Sequence, residues 1–494
     1  MMFGVGLSGL QDFVYDVEMS VEERRMRQTH AARRLRVRSA VLSLAPAVVA
    51  ANLLRVDPTA RLHYLGGGRL LAEADAGALD ALDQPLTELY RWLVAASGGR
   101  LGAYWARAEG EEDLAGLTSA LARAKWRSGR AAEGAWLAGG VEVASAAAGL
   151  GNPDWESDAG ALLARDAGIV GFRLGGAWPL GPWRVEPARA EPDIFLAGRG
   201  EGAVTVAVPL HAPRAADGGV AELFRLAMEG EGAPYLAVLK LDGDRVGERL
   251  AAAMRSGGAE GFRKVSAPLG RFFGVTVPAL LEREFPRLYL VYSGGDDLVL
   301  TGHFLAVARA ALAIRDAYTR EVGEGGAGPT LSAGISFYTR QFPILKAVTA
   351  ADGELEAAKE ARDAVSVGGC RLGWEAMRAA MAEVEGLCQA VGDRSINRGA
   401  LALLRQLGEP FLLARAGERG LGDEEARHFH NLRLRSIPQL AYTMSRRTEW
   451  RARDWPEPVR ALFDSLKERE DDWPRAALVG TMAAWATRAR EEAQ

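Results

Sequence analysis

The sequence predicts an α+β protein in which one strand–helix–hairpin–helix–strand plan occurs twice, with helices closing the chain. Three observations point there. Short apolar runs bounded by glycine turns lie at 2–8, 62–72 and 101–106, and again at 235–241, 288–300 and 331–335. Amphipathic helical stretches separate them in the same order in both halves. Beyond Trp374 apolar residues recur only at three- and four-residue spacing, as in 399–414 and 432–444. The expected domains are 1–140, a small middle domain and linker at 141–230, a second copy at 231–375, and a helical domain at 376–494.

Phe3-Gly4-Val5-Gly6-Leu7 reads as a buried strand ending in a Ser8-Gly9 turn. A long basic helix follows, carrying Arg24, Arg25, Arg27, Arg33, Arg34, Arg36 and Arg38. That arginine face is either solvated or a contact for RNA or a protein partner. The apolar run Val41–Leu54 is broken by Pro46 and falls short of the ~20 residues of a bilayer span. A strand pair at Leu62–Ala72, a helix at Leu79–Ala96, a strand at Leu101–Ala106 and a helix at 114–127 complete the first copy. Residues 140–230 are rich in Gly, Ala and Pro and read as irregular. Tyr235–Leu241 is apolar enough to be a strand buried on both faces.

The bulk properties narrow the function classes. A chain of 494 residues exceeds one hydrophobic core, and 48% apolar with 25% charged residues is ordinary globular composition. A net charge of −4 argues against a chain-wide nucleic-acid coat. The start lacks the basic-then-apolar pattern of a signal peptide, and Cys370 and Cys388 read as reduced thiols, so a cytoplasmic location is expected. No Gly-Lys dipeptide occurs, which excludes a Walker A phosphate loop. His428 and His430 stand at i,i+2, on different faces of a helix, and make a poor metal pair. Trp450, Trp455, Trp473 and Trp485 read as core or interface anchors. Only six lysines occur, Lys125, Lys240, Lys264, Lys346, Lys359 and Lys467. In so arginine-rich a chain a lysine suggests a need for a compact ammonium.

Chemistry concentrates in two segments. Leu241-Asp242-Gly243-Asp244 ends a buried strand, and Ser293-Gly294-Gly295-Asp296-Asp297 makes a hairpin tip. Two like charges about 4 Å apart at such a tip cost roughly 4 kcal/mol in a surface-like dielectric, which a bound divalent cation removes. The glycines let the chain turn tightly and let a phosphate approach. In the first copy Ser8 stands where Asp242 stands, and Gly66-Gly67-Gly68-Arg69 stands where the Gly-Gly-Asp-Asp tip stands. Gly66 follows Ser8 by 58 residues and Gly294 follows Asp242 by 52; Ala103 and Ala333 then follow those glycines by 37 and 39. Lys125 and Lys359 come 22 and 26 residues later. The first copy keeps the plan and the glycines without the carboxylates. It could hold a nucleotide, but no catalytic metal.

These residues resemble the large subunit of type III CRISPR effector complexes, in its Csm-type branch of palm-domain cyclic oligoadenylate synthetases. The likeness is carried by Leu7–Phe13 with Leu35–Ser39, by Leu239–Gly247, by Tyr292–Leu298, by Leu331–Ile335 with Phe342-Pro343, by Ala357–Lys359, and by Pro438–Tyr442 with Arg446. It implies two ferredoxin-like palm domains of the nucleotidyl cyclase type. It implies metal, Mg²⁺ or Mn²⁺, on Asp242, Asp296 and Asp297, with Asp244 as a further ligand. Gly294, Gly295 and Lys359 would contact the triphosphate, and Ser266 and Ser8 would lie near two adenines. ATP would be the substrate, with guide RNA, other effector subunits and an activating target RNA as partners of a monomer inside a ribonucleoprotein. Members often begin with an HD nuclease domain. None of the six histidines here precedes an Asp, so no metal-dependent DNase activity is expected. The family's zinc-binding cysteines are missing too. A stand-alone cyclic-nucleotide synthase, a structural subunit with weak activity, and a homodimeric diguanylate-cyclase-like enzyme are the competing readings. The disarmed internal copy argues against the last.

Overall fold

The computed structural model describes residues 1–15, 31–97, 99–109, 116–127, 171–188, 196–197, 205–207, 211–323, 328–339, 342–417, 431, 435–436, 438–440, 442–443 and 455–488. The chain forms two compact units, the first of residues 1–223, 245–300 and 318–329, the second of 224–244, 301–317 and 330–494.

In the first unit the central strand β1 (Met2–Ser8) is buried along both faces. It pairs antiparallel with β3 (Arg69–Glu73) and β4 (Gly102–Ala108), and β2 (Arg61–Gly66) pairs outside β3, giving the order β2-β3-β1-β4. Helix α1 (Ala31–Val56) lies on this sheet. Pro46, expected to break the apolar run, sits inside this helix, where it removes one main-chain hydrogen bond. Leu35–Val56 is thus long and apolar enough to cross a membrane by length and composition, yet 78% of its apolar window is buried within the fold, as in a core helix. Arg36 is also buried, at 1% exposure, and Arg38 donates to the Phe13 carbonyl and covers its ring. That part of the basic stretch is therefore not a solvated face; Arg24, Arg25 and Arg27 lie outside the described residues. Helix α2 (Ala76–Ala96) starts on Asp75, whose carboxylate accepts the Gly77 N–H, a cap worth about 1 kcal/mol. It buries Leu79, Leu82, Leu86, Leu89 and Leu93, the predicted period.

The middle region is more regular than its composition suggests. β5 (Gly171–Leu180), β6 (Trp183–Ala188), β7 (Leu196–Ala197) and β8 (Thr205–Ala207) form a sheet in the order β6-β5-β8-β7. A bulge between Leu174 and Trp178, at Gly175-Gly176, breaks the alternation that would have revealed the strand.

The second copy repeats the first. β9 (Tyr235–Gly243), β10 (Tyr289–Gly294), β11 (Asp297–His303) and β12 (Leu331–Thr339) stand in the order β10-β11-β9-β12, to which β13 (Ala364–Val367) and β14 (Cys370–Gly373) add. Strand for strand this is the order of the first sheet. The register agrees as well: Ser8 faces Gly102 across β1 and β4, and Asp242 faces Ser332 across β9 and β12. Helix α3 (Val246–Arg271), kinked at Gly257-Gly258, packs Met254 and Phe262 against Met2, Leu71 and Leu117 of the first copy within the first unit. α4 (Phe304–Glu321) and α5 (Ile344–Ala361) complete the second copy.

In the second unit α6 (Trp374–Gly392), α7 (Arg398–Gly417), α8 (Glu457–Glu468) and α9 (Trp473–Ala486) make the C-terminal helices. Trp473 is wholly buried and stacks on Phe411, Trp455 is buried against Phe463, and Trp485 stacks on Tyr235. The tryptophans are anchors, as expected. Trp450, Arg446, His428 and His430 lie outside the described residues.

Candidate nucleotide site

In the first unit the tip of the β10–β11 hairpin meets the tip of β2–β3. Gly295 takes a φ of +74° and Gly67 one of +59°, conformations open to glycine at no steric cost. A Cβ on Gly294 would stand 2.7 Å from the Gly67 nitrogen, and one on Gly295 would stand 2.5 Å from the Tyr64 hydroxyl. The two turns thus lie backbone against backbone. The faces bared by the missing side chains of Gly294 and Gly295 are filled by Gly67 and Tyr64. Beside the contact is a small cleft lined by Ser43, Pro46, Gly67, Gly270, Gly274 and Gly294 among others.

The sequence reading gave no role to Tyr64, nor to Tyr292 beyond its place in the hairpin motif. Burial, and then the charges of Asp296 and Asp297, push the Tyr64 phenol well above its ordinary range. Tyr292 is shifted the same way, by burial first and then by Asp297, Tyr64, Tyr15 and Asp296. Both therefore remain neutral hydroxyls in the field of the two carboxylates, which are half-buried. Ser266 is buried, and its hydroxyl donates to the His63 carbonyl on β2 at 3.2 Å. Its proton is committed, so what Ser266 can offer a base is an acceptor lone pair. Ser8 ends β1 half-buried, with its Oγ 3.0 Å from where a Cβ on Gly102 would stand.

In the second unit Asp242 ends β9 with a quarter of its side chain exposed, and Lys359, in the last turn of α5, places its Nζ 3.0 Å from Oδ2. Burial raises the Asp242 carboxyl, and the lysine opposes that shift. Burial lowers the Lys359 ammonium, but the charge and hydrogen bond of Asp242 together with those of Glu356 outweigh it, and the net shift is upward. Lys240, also buried, pairs with Asp352 of the same helix. Two of the six lysines thus pair with carboxylates between β9 and α5, one from each element.

Asp244, expected as a further metal ligand, is bracketed by the fold. Only 6% exposed, it accepts from Ser332 Oγ on Oδ1 at 2.7 Å, and from Thr330 Oγ1 and the Asp363 N–H on Oδ2 at 2.7 and 2.9 Å. Three of its roughly four acceptor positions, both of those on Oδ2 among them, are thus used inside the protein. The polar pair Thr330 and Ser332, two apart and hence on one face of a buried strand, was the available signal.

The donor set suits a hard cation, since Asp242, Asp296 and Asp297 offer only carboxylate oxygens. Among the described residues no three His, Cys, Asp or Glu side chains are gathered ready for a metal. At Asp242 the Lys359 ammonium is a stand-in for such a charge.

Residues 235–366 match the family model described as Cas10/Cmr2, second palm domain. Two curated relatives are named CRISPR system single-strand-specific deoxyribonuclease Cas10/Csm1 (subtype III-A). The one from Methanocaldococcus jannaschii is 30% identical over 176 residues, 30% of this chain and 22% of that protein. The one from Thermococcus onnurineus is 32% identical over 168 residues, 31% of this chain and 21% of that protein. The sequence match thus spans about a fifth of the length of these relatives. Among solved structures, a Csm1-Csm4 cassette in complex with cA4 matches 99% of this chain and 70% of that one, with TM-score 0.61 and 18% identity. Csm1 of T. onnurineus gives the same TM-score and identity over 99% and 69%. Residues 235–366 thus resemble the second palm domain of Cas10 proteins, and the curated relatives that the chain matches are of the Csm type. The structural likeness extends the palm-containing fold over nearly the whole chain, while the sequence likeness covers less than a third of it.

Proposed function

We propose that this chain joins ATP into cyclic oligoadenylate as the large subunit of a type III CRISPR antiviral ribonucleoprotein in the cytoplasm. The observation that carries the reading is the repeat. Two sheets share one strand order and register, one with Asp242, Asp296 and Asp297, the other with Ser8, Gly68 and Arg69 at the matching places. Such an arrangement suits one donor nucleotide and one acceptor. Its partners would be guide RNA, an activating target RNA and other effector subunits; a Csm1-Csm4 cassette among its structural relatives supports that.

Asp242, Asp296 and Asp297 would hold Mg²⁺ or Mn²⁺, which when bound would neutralise charge on the α-phosphate and the leaving pyrophosphate. The chain's own residues orient the reactants. Lys359 would leave Asp242 for the donor triphosphate, and the first copy would present the acceptor's 3′ hydroxyl. That oxygen attacks the α-phosphorus in line, a new P–O bond forms, the bond to pyrophosphate breaks, and the hydroxyl proton passes to solvent. Tyr64 and Tyr292, kept protonated, steady the carboxylate pair. Ser266 and Ser8 would face the adenines. With its own proton bound to His63, the Ser266 oxygen suits an amino group such as adenine's and repels the carbonyl at the same place in guanine.

The test is incubation with ATP and Mn²⁺, with and without a cognate guide–target complex, in competition with GTP. Cyclic adenylate product is expected, with ATP consumed in preference. Equal use of GTP would overturn the adenine assignment, and no product in the presence of the complex would overturn the function. Lys359→Ala is expected to weaken ATP use about ten-fold or more, the value of a charge-assisted contact to phosphate. Unchanged steady-state kinetics would remove Lys359 from the site.

A further inference from the structure

We propose that Asp244 is a positioning residue which fastens the exit of α5 to β9 and thereby sets Lys359 beside Asp242, and that it binds no metal; its consequence for ATP rests on the reading above. The main chain ends α5 at Ala361 and then turns through Arg362 and Asp363, at φ +59° and +47°. Both are side chains in the left-handed region, a conformation that L-residues hold only when surroundings impose it. The imposed bond is the Asp363 N–H to Asp244 Oδ2 at 2.9 Å.

Lys359 lies four residues before Asp363, so that bond fixes the last turn of the helix from which the ammonium reaches Asp242 at 3.0 Å. Thr330 holds the second position on Oδ2 and Ser332 one on Oδ1, both at 2.7 Å, and the Asp244 N–H donates to the Thr330 carbonyl at 2.8 Å. The carboxylate is thus locked on three sides by β12 and by the turn it secures. On the far side of the turn, Asp363 binds Arg315 through Nη2 and Nε at 2.7 and 3.1 Å, and Arg315 lies over the Trp374 ring. The Trp374 indole N–H donates to the Leu331 carbonyl, between Thr330 and Ser332. The bracket therefore closes on itself through β12, α4 and α6.

Asparagine separates the two roles. Its amide oxygen can accept from Thr330 and Asp363 while its NH₂ donates to the Ser332 hydroxyl, which can turn to accept. Asn keeps the bracket and removes the charge a metal would need. Three variants of the full chain, Asp244→Asn, Asp244→Ala and Thr330→Val, would be compared by hydrogen exchange at the Asp363 amide, by Mn²⁺ binding without nucleotide, and by KM and kcat for ATP. With Asn, the Asp363 amide should stay protected and Mn²⁺ affinity should match wild type. With Ala, that amide should exchange faster and KM should rise about ten-fold, more than kcat falls, as expected for a displaced Lys359. Thr330→Val should shift the amide in the same direction by less. A loss of Mn²⁺ affinity of about ten-fold or more in the Asn variant would make Asp244 a ligand and overturn the proposal. An Asp363 amide still protected in the Ala variant would overturn it as well. The exchange and Mn²⁺ measurements need no turnover, so they decide the bracket even if the proposed synthesis is not observed.

Discussion

Replacing Asp296 and Asp297 together by alanine is expected to abolish oligoadenylate synthesis and to leave the melting temperature at or above that of the parent protein. The two carboxylates sit side by side at a hairpin tip, half-buried, and raise the neighbouring Tyr64 and Tyr292 phenols. Like charges in such proximity repel, so removing them costs the fold little or relieves it. The positive φ of the turn belongs to Gly295, not to either Asp, so alanine creates no backbone strain. What would be lost is the hard oxygen donor set on which the proposed metal binding in this hairpin rests. The measurement is chromatography of the products from ATP, paired with a thermal melt. Product at the parent level from a folded double variant would remove the hairpin from the catalytic site.

Gly334→Ala is expected to destabilise the protein by about 3 kcal/mol, the upper end of overpacking costs, and to lose ATP-dependent activity with it. Gly334 lies in β12, opposite Lys240 of β9 and beside Ser366 of β13. A Cβ there would stand 2.2 Å from the Ala351 carbonyl oxygen and 2.3 Å from the Leu355 nitrogen. Both are main-chain atoms of α5, so no side-chain rotation relieves the clash and the helix must lift from the sheet. That helix carries Lys359, and its Asp352 pairs with Lys240. Urea unfolding of the full chain reads the stability loss. A midpoint equal to wild type would show that the contact between α5 and β12 is looser than its geometry implies.

Asp244 shows how far a motif carries. Asp-Gly-Asp at the end of a buried strand reads as two ligands, because an exposed carboxylate and a bracketed one look alike in one dimension. The bracket comes from Thr330, Ser332 and Asp363, 86, 88 and 119 residues away. Ser266 is the same case, its proton spoken for by His63 across 203 residues. Arg36 shares its local pattern with its basic neighbours, yet it is buried. The glycine tips illustrate the converse. Both were recognisable as turns, but that each fills the other's missing side-chain space depends on how two hairpins more than two hundred residues apart meet.

The sequence by itself determined the repeat and its asymmetry. The order of elements along the chain and the Ser8–Asp242 correspondence follow from local signals, namely short apolar runs, glycine turns and their near-equal spacing; the registers of the two sheets agree with that correspondence. It also marked Asp242, Asp296, Asp297 and Lys359 as the residues to weigh, because carboxylates clustered at strand ends are rare unless something offsets their charge. Only the tertiary structure decided what each polar group is doing. It engaged Asp244 with β12 and with the turn after α5, placed Lys359 on Asp242, ran α1 straight through Pro46, and built a sheet where the composition read as irregular. Hydrogen-bond partnership and burial are set by residues distant in the chain, and a side chain's lone pairs can serve a ligand only where the fold has not already used them.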